Sequence, residues 1–98
     1  MIVRLALQAA AELEEARTWY DGREVGIGDA FLQEVGAAMT RVSERPEAFP
    51  ISFARMRKVM LRRFPYFLLY EVFPDVVIVF GVIHGARDPQ VWMRRGDT

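Results

Sequence analysis

Residues 55–84 read RMRKVMLRRFPYFLLYEVFPDVVIVFGVIH, and the fold is decided here. Three runs, 55–63, 65–73 and 76–84, carry the β-branched and aromatic side chains that favour strands. Pro74-Asp75 makes a tight turn between the last two. Side chains alternate faces along a strand, so Tyr66, Leu68, Tyr70 and Val72 form one face, the expected core face. The alternate positions Phe67, Leu69 and Phe73 are apolar as well, so something must cover that second face. Alternation is poor over 76–83, which fits a central strand covered on both faces, or on one face by bound protein.

Working outward, residues 2–8 (IVRLALQ) fit a short first strand. The period changes at Ala9. Ala9, Leu13, Ala16 and Tyr20 lie on one helical face, Glu12, Glu14 and Glu15 fall in the early turns where the helix dipole favours acids, and Asp21-Gly22 is a stop. After a link over 22–28, Gly28-Asp29 opens a second helix with Ile27, Phe31, Val35, Ala38 and Val42 at helical spacing, ending before Pro46. Residues 46–50 (PEAFP) form a rigid loop, and Asp88-Pro89 either caps a short C-terminal helix or ends the last strand in a turn. The expected class is α+β, in the order β-α-α-β-β-β, with a helical pair packed on one face of a mainly antiparallel sheet.

The 98 residues, 52% hydrophobic and 27% charged, make one domain, 1–98, with room for one core. Cysteine is absent, which excludes disulfides, thiolate catalysis and cysteine-ligated metal. A lone histidine supplies too few nitrogen ligands for a typical zinc site, so no metal or cofactor is expected. The start turns acidic at Glu12, too soon for a signal peptide, and the longest apolar run, residues 76–83, is far short of a membrane span. A soluble cytoplasmic protein is the expectation. The zero net charge hides an asymmetry: residues 1–50 carry five Arg against nine acids, and residues 51–98 eight basic residues against four acids. Because fields act locally, the cancellation does not preclude a basic face.

Arg55, Arg57, Lys58, Arg62 and Arg63 fall within nine residues that hold no acid. If all lie on a strand, Arg55, Arg57 and Arg63 share a face with Val59 and Leu61, while Lys58 and Arg62 point the other way. Such a run either keeps an edge strand soluble or binds phosphate or another target. His84 and Arg87, in HGARDP at the end of the last strand, are a second candidate site. An imidazole can move protons near neutrality and a guanidinium can stabilise charge on a phosphate, two of the three tasks in RNA cleavage by a neighbouring 2′-hydroxyl. Lys58, Tyr66 and Tyr70 are the candidates for the remaining proton transfer.

The ordered series Glu12-Leu13, Ala16, Trp19-Tyr20, Gly28, Phe31, Pro46, Phe49-Pro50, Arg62-Arg63-Phe64-Pro65-Tyr66, Tyr70, His84-Gly85, Arg87-Asp88-Pro89 and Trp92 resembles the RelE/ParE toxin superfamily of type II toxin–antitoxin modules, which includes plasmid stabilisation proteins. The resemblance covers nearly the whole chain. It implies the RelE-like fold, with the first strand beside the last, and a bacterial toxin neutralised by a cognate antitoxin in a hetero-oligomer. Phe67, Leu69, Phe73 and Trp92 are then the expected antitoxin contacts. RelE-like members cleave messenger RNA on the ribosome; ParE-like members inhibit DNA gyrase. Phe67 stands where RelE-like nucleases tend to carry a catalytic Arg, and the FPY and RDP elements look closer to the ParE-like branch. Inhibition of gyrase is therefore the leading expectation. Ribosome-dependent cleavage through His84 and Arg87, or a non-toxic partner-binding module, are the alternatives.

Overall fold

The computed structural model describes residues 1–93. Strand β1 (Ile2–Leu5) is followed by helices α1 (Leu7–Asp21) and α2 (Ile27–Glu44), strands β2 (Ile51–Phe53), β3 (Met56–Met60), β4 (Tyr66–Val72) and β5 (Val76–His84), and a short helix α3 (Pro89–Met93). The sheet order is β1-β5-β4-β3-β2, with β1 parallel to β5 and every other pair antiparallel. The first strand thus lies beside β5, and the α+β expectation holds. No helix among the described residues is long and apolar enough to cross a membrane.

One core fills the space between the helices and the sheet. Phe31, Val35, Ala38 and Val42 of α2 and Ala9 and Ala16 of α1 meet Val59, Leu68, Tyr70, Val77, Val79 and Val82. The α2 stripe matches the spacing read from the sequence. Helix α1 begins at Leu7, two residues earlier than the periodicity implies: the Ala6 N–H donates to the Val79 carbonyl, and the Ala6 carbonyl then accepts from Ala10 N–H. Its first turn accordingly holds no acid. Glu12 instead turns to the sheet, and Glu14 pairs with Arg17.

A second cluster occupies the opposite face of the sheet, where Met56, Phe67, Leu69, Ile83 and Trp92 are buried together. The second apolar face of β4 is real, and this chain covers it itself: Trp92 of α3 meets Phe67 edge-on at 5.7 Å between ring centres. Asp88-Pro89 does start a helix, with the Gln90 N–H donating to Asp88 Oδ1.

The basic run 55–63 is shorter as a strand than its composition implies. Arg55 sits in the two-residue loop Ala54-Arg55, closed by Phe53 opposite Met56, so the chain makes a hairpin with β2 that the sequence did not disclose. Arg62 and Arg63 lie in the turn after β3, where both backbone N–H groups donate to Glu34 Oε1 of α2. Ala54 has a φ of 54°, a left-handed conformation in which Cβ is strained and Gly is preferred. Ala54→Gly is expected to stabilise the fold by about 0.5 kcal/mol, relief of strain exceeding the added freedom of the unfolded chain. A urea midpoint moved upward at constant slope checks it.

Candidate functional site

The placement of His84 depends on an irregularity in β5. Leu69 pairs with Gly81 but Tyr70 with Val79, which leaves Phe80 as an extra residue. A bulge of this kind reverses the facing of everything beyond it. Val77 and Val79 face the helices before the bulge, and Val82 faces them after it, opposite Leu68. His84 follows on the same side, opposite Tyr66, with their rings edge-to-face at 5.1 Å. The bulge also accounts for the poor alternation of 76–83.

His84 therefore opens into a groove of about 420 Å³ between α1 and the ends of β4 and β5, within the range of roughly 300–1,000 Å³ usual for ligand pockets. Helix α1 contributes Glu12, Glu15, Ala16, Trp19 and Tyr20. The sheet side contributes Pro65, Tyr66, Val82 and His84, and Arg87 closes the end. Strand β1 stops at Leu5, so β5 has no strand neighbour on that side past Val79. Glu12 takes the place of one, its Oε1 accepting from the Val82 N–H at 3.0 Å while its Oε2 lies 3.5 Å from Arg87 Nη1. The Ala86 N–H donates to His84 Nδ1.

Of the sequence-derived candidates, the groove gathers His84, Arg87 and Tyr66. Arg57 faces the helix side with Val59, but its Nη1 donates to the carbonyls of Glu47 and Phe49, so it fastens the 46–50 loop. Lys58 is on the opposite face, 4.2 Å over the Phe67 ring. Arg55, Arg62 and Arg63 are exposed in turns and do not line the groove. The expected shared face of Arg55, Arg57 and Arg63 does not form, because only Arg57 is in a strand. Of the apolar candidates, Phe67 and Leu69 are buried against Trp92 of α3, and Phe73 is half-buried at the β4–β5 turn.

The remaining acid–base candidates also separate. Tyr70 is buried and donates its hydroxyl to the Pro46 carbonyl, and Lys58 lies across the sheet. Tyr66 reaches the groove, but burial, reinforced by Tyr20, Glu15 and Glu12, pushes its hydroxyl above the usual tyrosine range, against a lowering influence of Arg87. It stays protonated at neutral pH. Glu12 and Glu15, which the sequence shows only as acids of the early helix turns, also line the groove. Their helical spacing shows that they share a face of α1, but only the topology puts β5 opposite that face.

Glu12 is expected to matter in two separable ways. Glu12→Ala removes the acceptor for a buried N–H and the ion pair, and should destabilise by about 2 kcal/mol. Glu12→Gln keeps an acceptor and loses only a partly exposed ion pair, and should destabilise by less than about 1 kcal/mol. Equal losses in chemical denaturation would mean that the charge, not the hydrogen bond to Val82, is what counts.

Comparison with known proteins agrees with the fold. No curated protein matches the chain. Among solved structures, it is similar to a chain of the chromosomal ParDE TA system from P. aeruginosa, at a TM-score of 0.65 and 17% identity, covering 86% of this chain and 95% of that one. That likeness is one of fold. Residues 3–89 match the family described as ParE toxin of type II toxin-antitoxin system, parDE. The chain belongs to the ParE toxins of type II toxin–antitoxin systems, and its partner is an antitoxin.

Proposed function

We propose that this toxin acts by binding a protein target, DNA gyrase, rather than by cutting RNA. The observation that carries the reading is the charge of the groove holding His84 and Arg87: among the described residues two carboxylates stand against one guanidinium, and that guanidinium is already paired with Glu12. A phosphodiester entering there meets carboxylates and must compete for Arg87, whereas RNA binding rests on an excess of positive charge. The basic residues of 55–63 do not compensate, being dispersed over turns and both faces of the sheet. An antitoxin using Phe67, Leu69 and Trp92 would have to displace α3, while Phe73 is within reach as the chain stands.

With purified gyrase and relaxed plasmid, the toxin is expected to abolish supercoiling and leave cleaved DNA, and to leave messenger RNA intact in a translating extract. Unaffected supercoiling at excess toxin would overturn the reading. One observation favours the second reading, cleavage of messenger RNA: Glu12 and Glu15 supply the carboxylate that His84 and Arg87 lacked as an acid–base set. In that case message is cut on the ribosome, and His84→Ala removes cleavage by at least about 100-fold.

A further inference from the structure

The same groove carries aromatic features that neither target reading uses. Its rings come from several directions: Trp19 and Tyr20 from α1, Tyr66 and His84 from the sheet. Trp19 is 54% exposed although it sits beside a packed aromatic cluster, in edge contact with Tyr20 at 5.1 Å. Arg23, which does not line the groove, already sets its guanidinium 4.4 Å from the centre of the Trp19 ring, so this indole holds a cation within the chain itself. Glu15 stands on the same helical face four residues before Trp19, exposed and with no ion pair among the described residues. Arg87, the one guanidinium lining the groove among the described residues, is set against Glu12.

Aromatic faces beside an acid are the surroundings that a guanidinium prefers, since it stacks flat on rings while its N–H groups reach a carboxylate. An anion would find one guanidinium, already paired, and two carboxylates; an uncharged apolar group would leave Glu15 unused. We infer that the groove between α1 and the β4–β5 ends is a receptor for a single arginine side chain presented by a partner polypeptide, stacked among Trp19, Tyr66 and His84 and paired with Glu15. The Tyr66 hydroxyl, raised chiefly by burial, also feels Glu15 and Glu12 as negative charges. The assignment does not depend on which cellular target the toxin has.

The experiment titrates N-acetyl-arginine amide into the isotope-labelled full chain and follows amide and indole N–H signals by NMR. Saturable shifts of the Trp19 indole and the Val82 amide are expected, with a dissociation constant on the order of 1–10 mM. The Trp92 indole, buried on the other face of the sheet, should stay still and serves as the internal reference. N-acetyl-citrulline amide keeps the planar shape without the charge and should bind at least about tenfold more weakly. Glu15→Gln, an exposed substitution that leaves the packing alone, should weaken arginine binding about three- to tenfold. Three results would overturn the inference: citrulline binding as tightly as arginine, N-acetyl-glutamate amide binding in preference to arginine, or no saturable shift at about 100 mM arginine probe.

Discussion

Phe31→Ala is expected to lower the unfolding free energy by about 3–5 kcal/mol, a large share of the roughly 5–15 kcal/mol available to a domain of this size. Phe31 is fully buried on α2 within an aromatic cluster, with ring centres 5.3 Å from Tyr20, 5.2 Å from Phe64 and 5.0 Å from Tyr66. Truncation removes the buried ring and leaves a cavity that the neighbours cannot fill without abandoning their edge-to-face contacts. Because Phe31 belongs to the α2 stripe that packs on the sheet, the effect extends beyond the local site. Tyr20 and Tyr66 also line the groove, so their loosening should broaden the Trp19 indole signal at temperatures where the variant is still folded. The melting temperature should fall by roughly 15 °C or more. A fall of only a few degrees would mean that the helix pair and sheet close over the vacancy. Phe31→Leu retains most of the volume and should recover more than half of the loss.

Trp92→Ala should have the second largest effect, about 3 kcal/mol, with a different signature. Trp92 is the buried residue of a five-residue helix that covers Phe67, Leu69 and Ile83. A helix this short has little stability of its own and is held by tertiary packing. Losing the indole should therefore release α3 as well as remove the ring. The uncovered face of β4 and β5 is contiguous and apolar, so the variant should bind a hydrophobic dye such as ANS and aggregate at concentrations where the parent chain does not. Trp92→Phe should keep the edge contact with Phe67 and most of the stability. An unchanged melting temperature with no dye binding would show that the second cluster stands without α3.

The two substitutions test opposite faces of the same sheet, and those faces were not equally legible. The α2 stripe Phe31, Val35, Ala38 and Val42 was readable because helical spacing and a buried face are the same information. The core face Tyr66, Leu68, Tyr70 and Val72 was readable for the corresponding reason at period two. That β4 is apolar on both faces was also plain, but the identity of the cover was not. The sequence pointed to a partner; the structure supplies Trp92 from the same chain, since which element returns to a face is a matter of chain path rather than of local pattern.

The candidate site divides along the same line. His84 and Arg87 were visible as chemically capable residues at a strand end, and they do meet. The basic run was visible too, but composition does not record that Arg57 is spent on the Glu47 and Phe49 carbonyls or that Arg62 and Arg63 sit in a turn held by Glu34. Glu12 and Glu15 were legible only as acids of an amphipathic helix, not as groove residues. Their importance comes from contacts some 70 residues away in the chain, as with Glu12 and the Val82 N–H.

By itself, then, the sequence determined the α+β class, the two long helices, the strands β4 and β5 and the membership in a toxin family, because each rests on periodicity, turn chemistry or ordered motifs that are local in the chain. Tertiary structure alone decided the β2–β3 hairpin, the bulge at Phe80, the cover over Phe67 and the company His84 keeps. The physical reason is the period of a strand. One extra residue in β5 reverses the facing of every side chain beyond it, and only the pairing with β4 reveals that it is there.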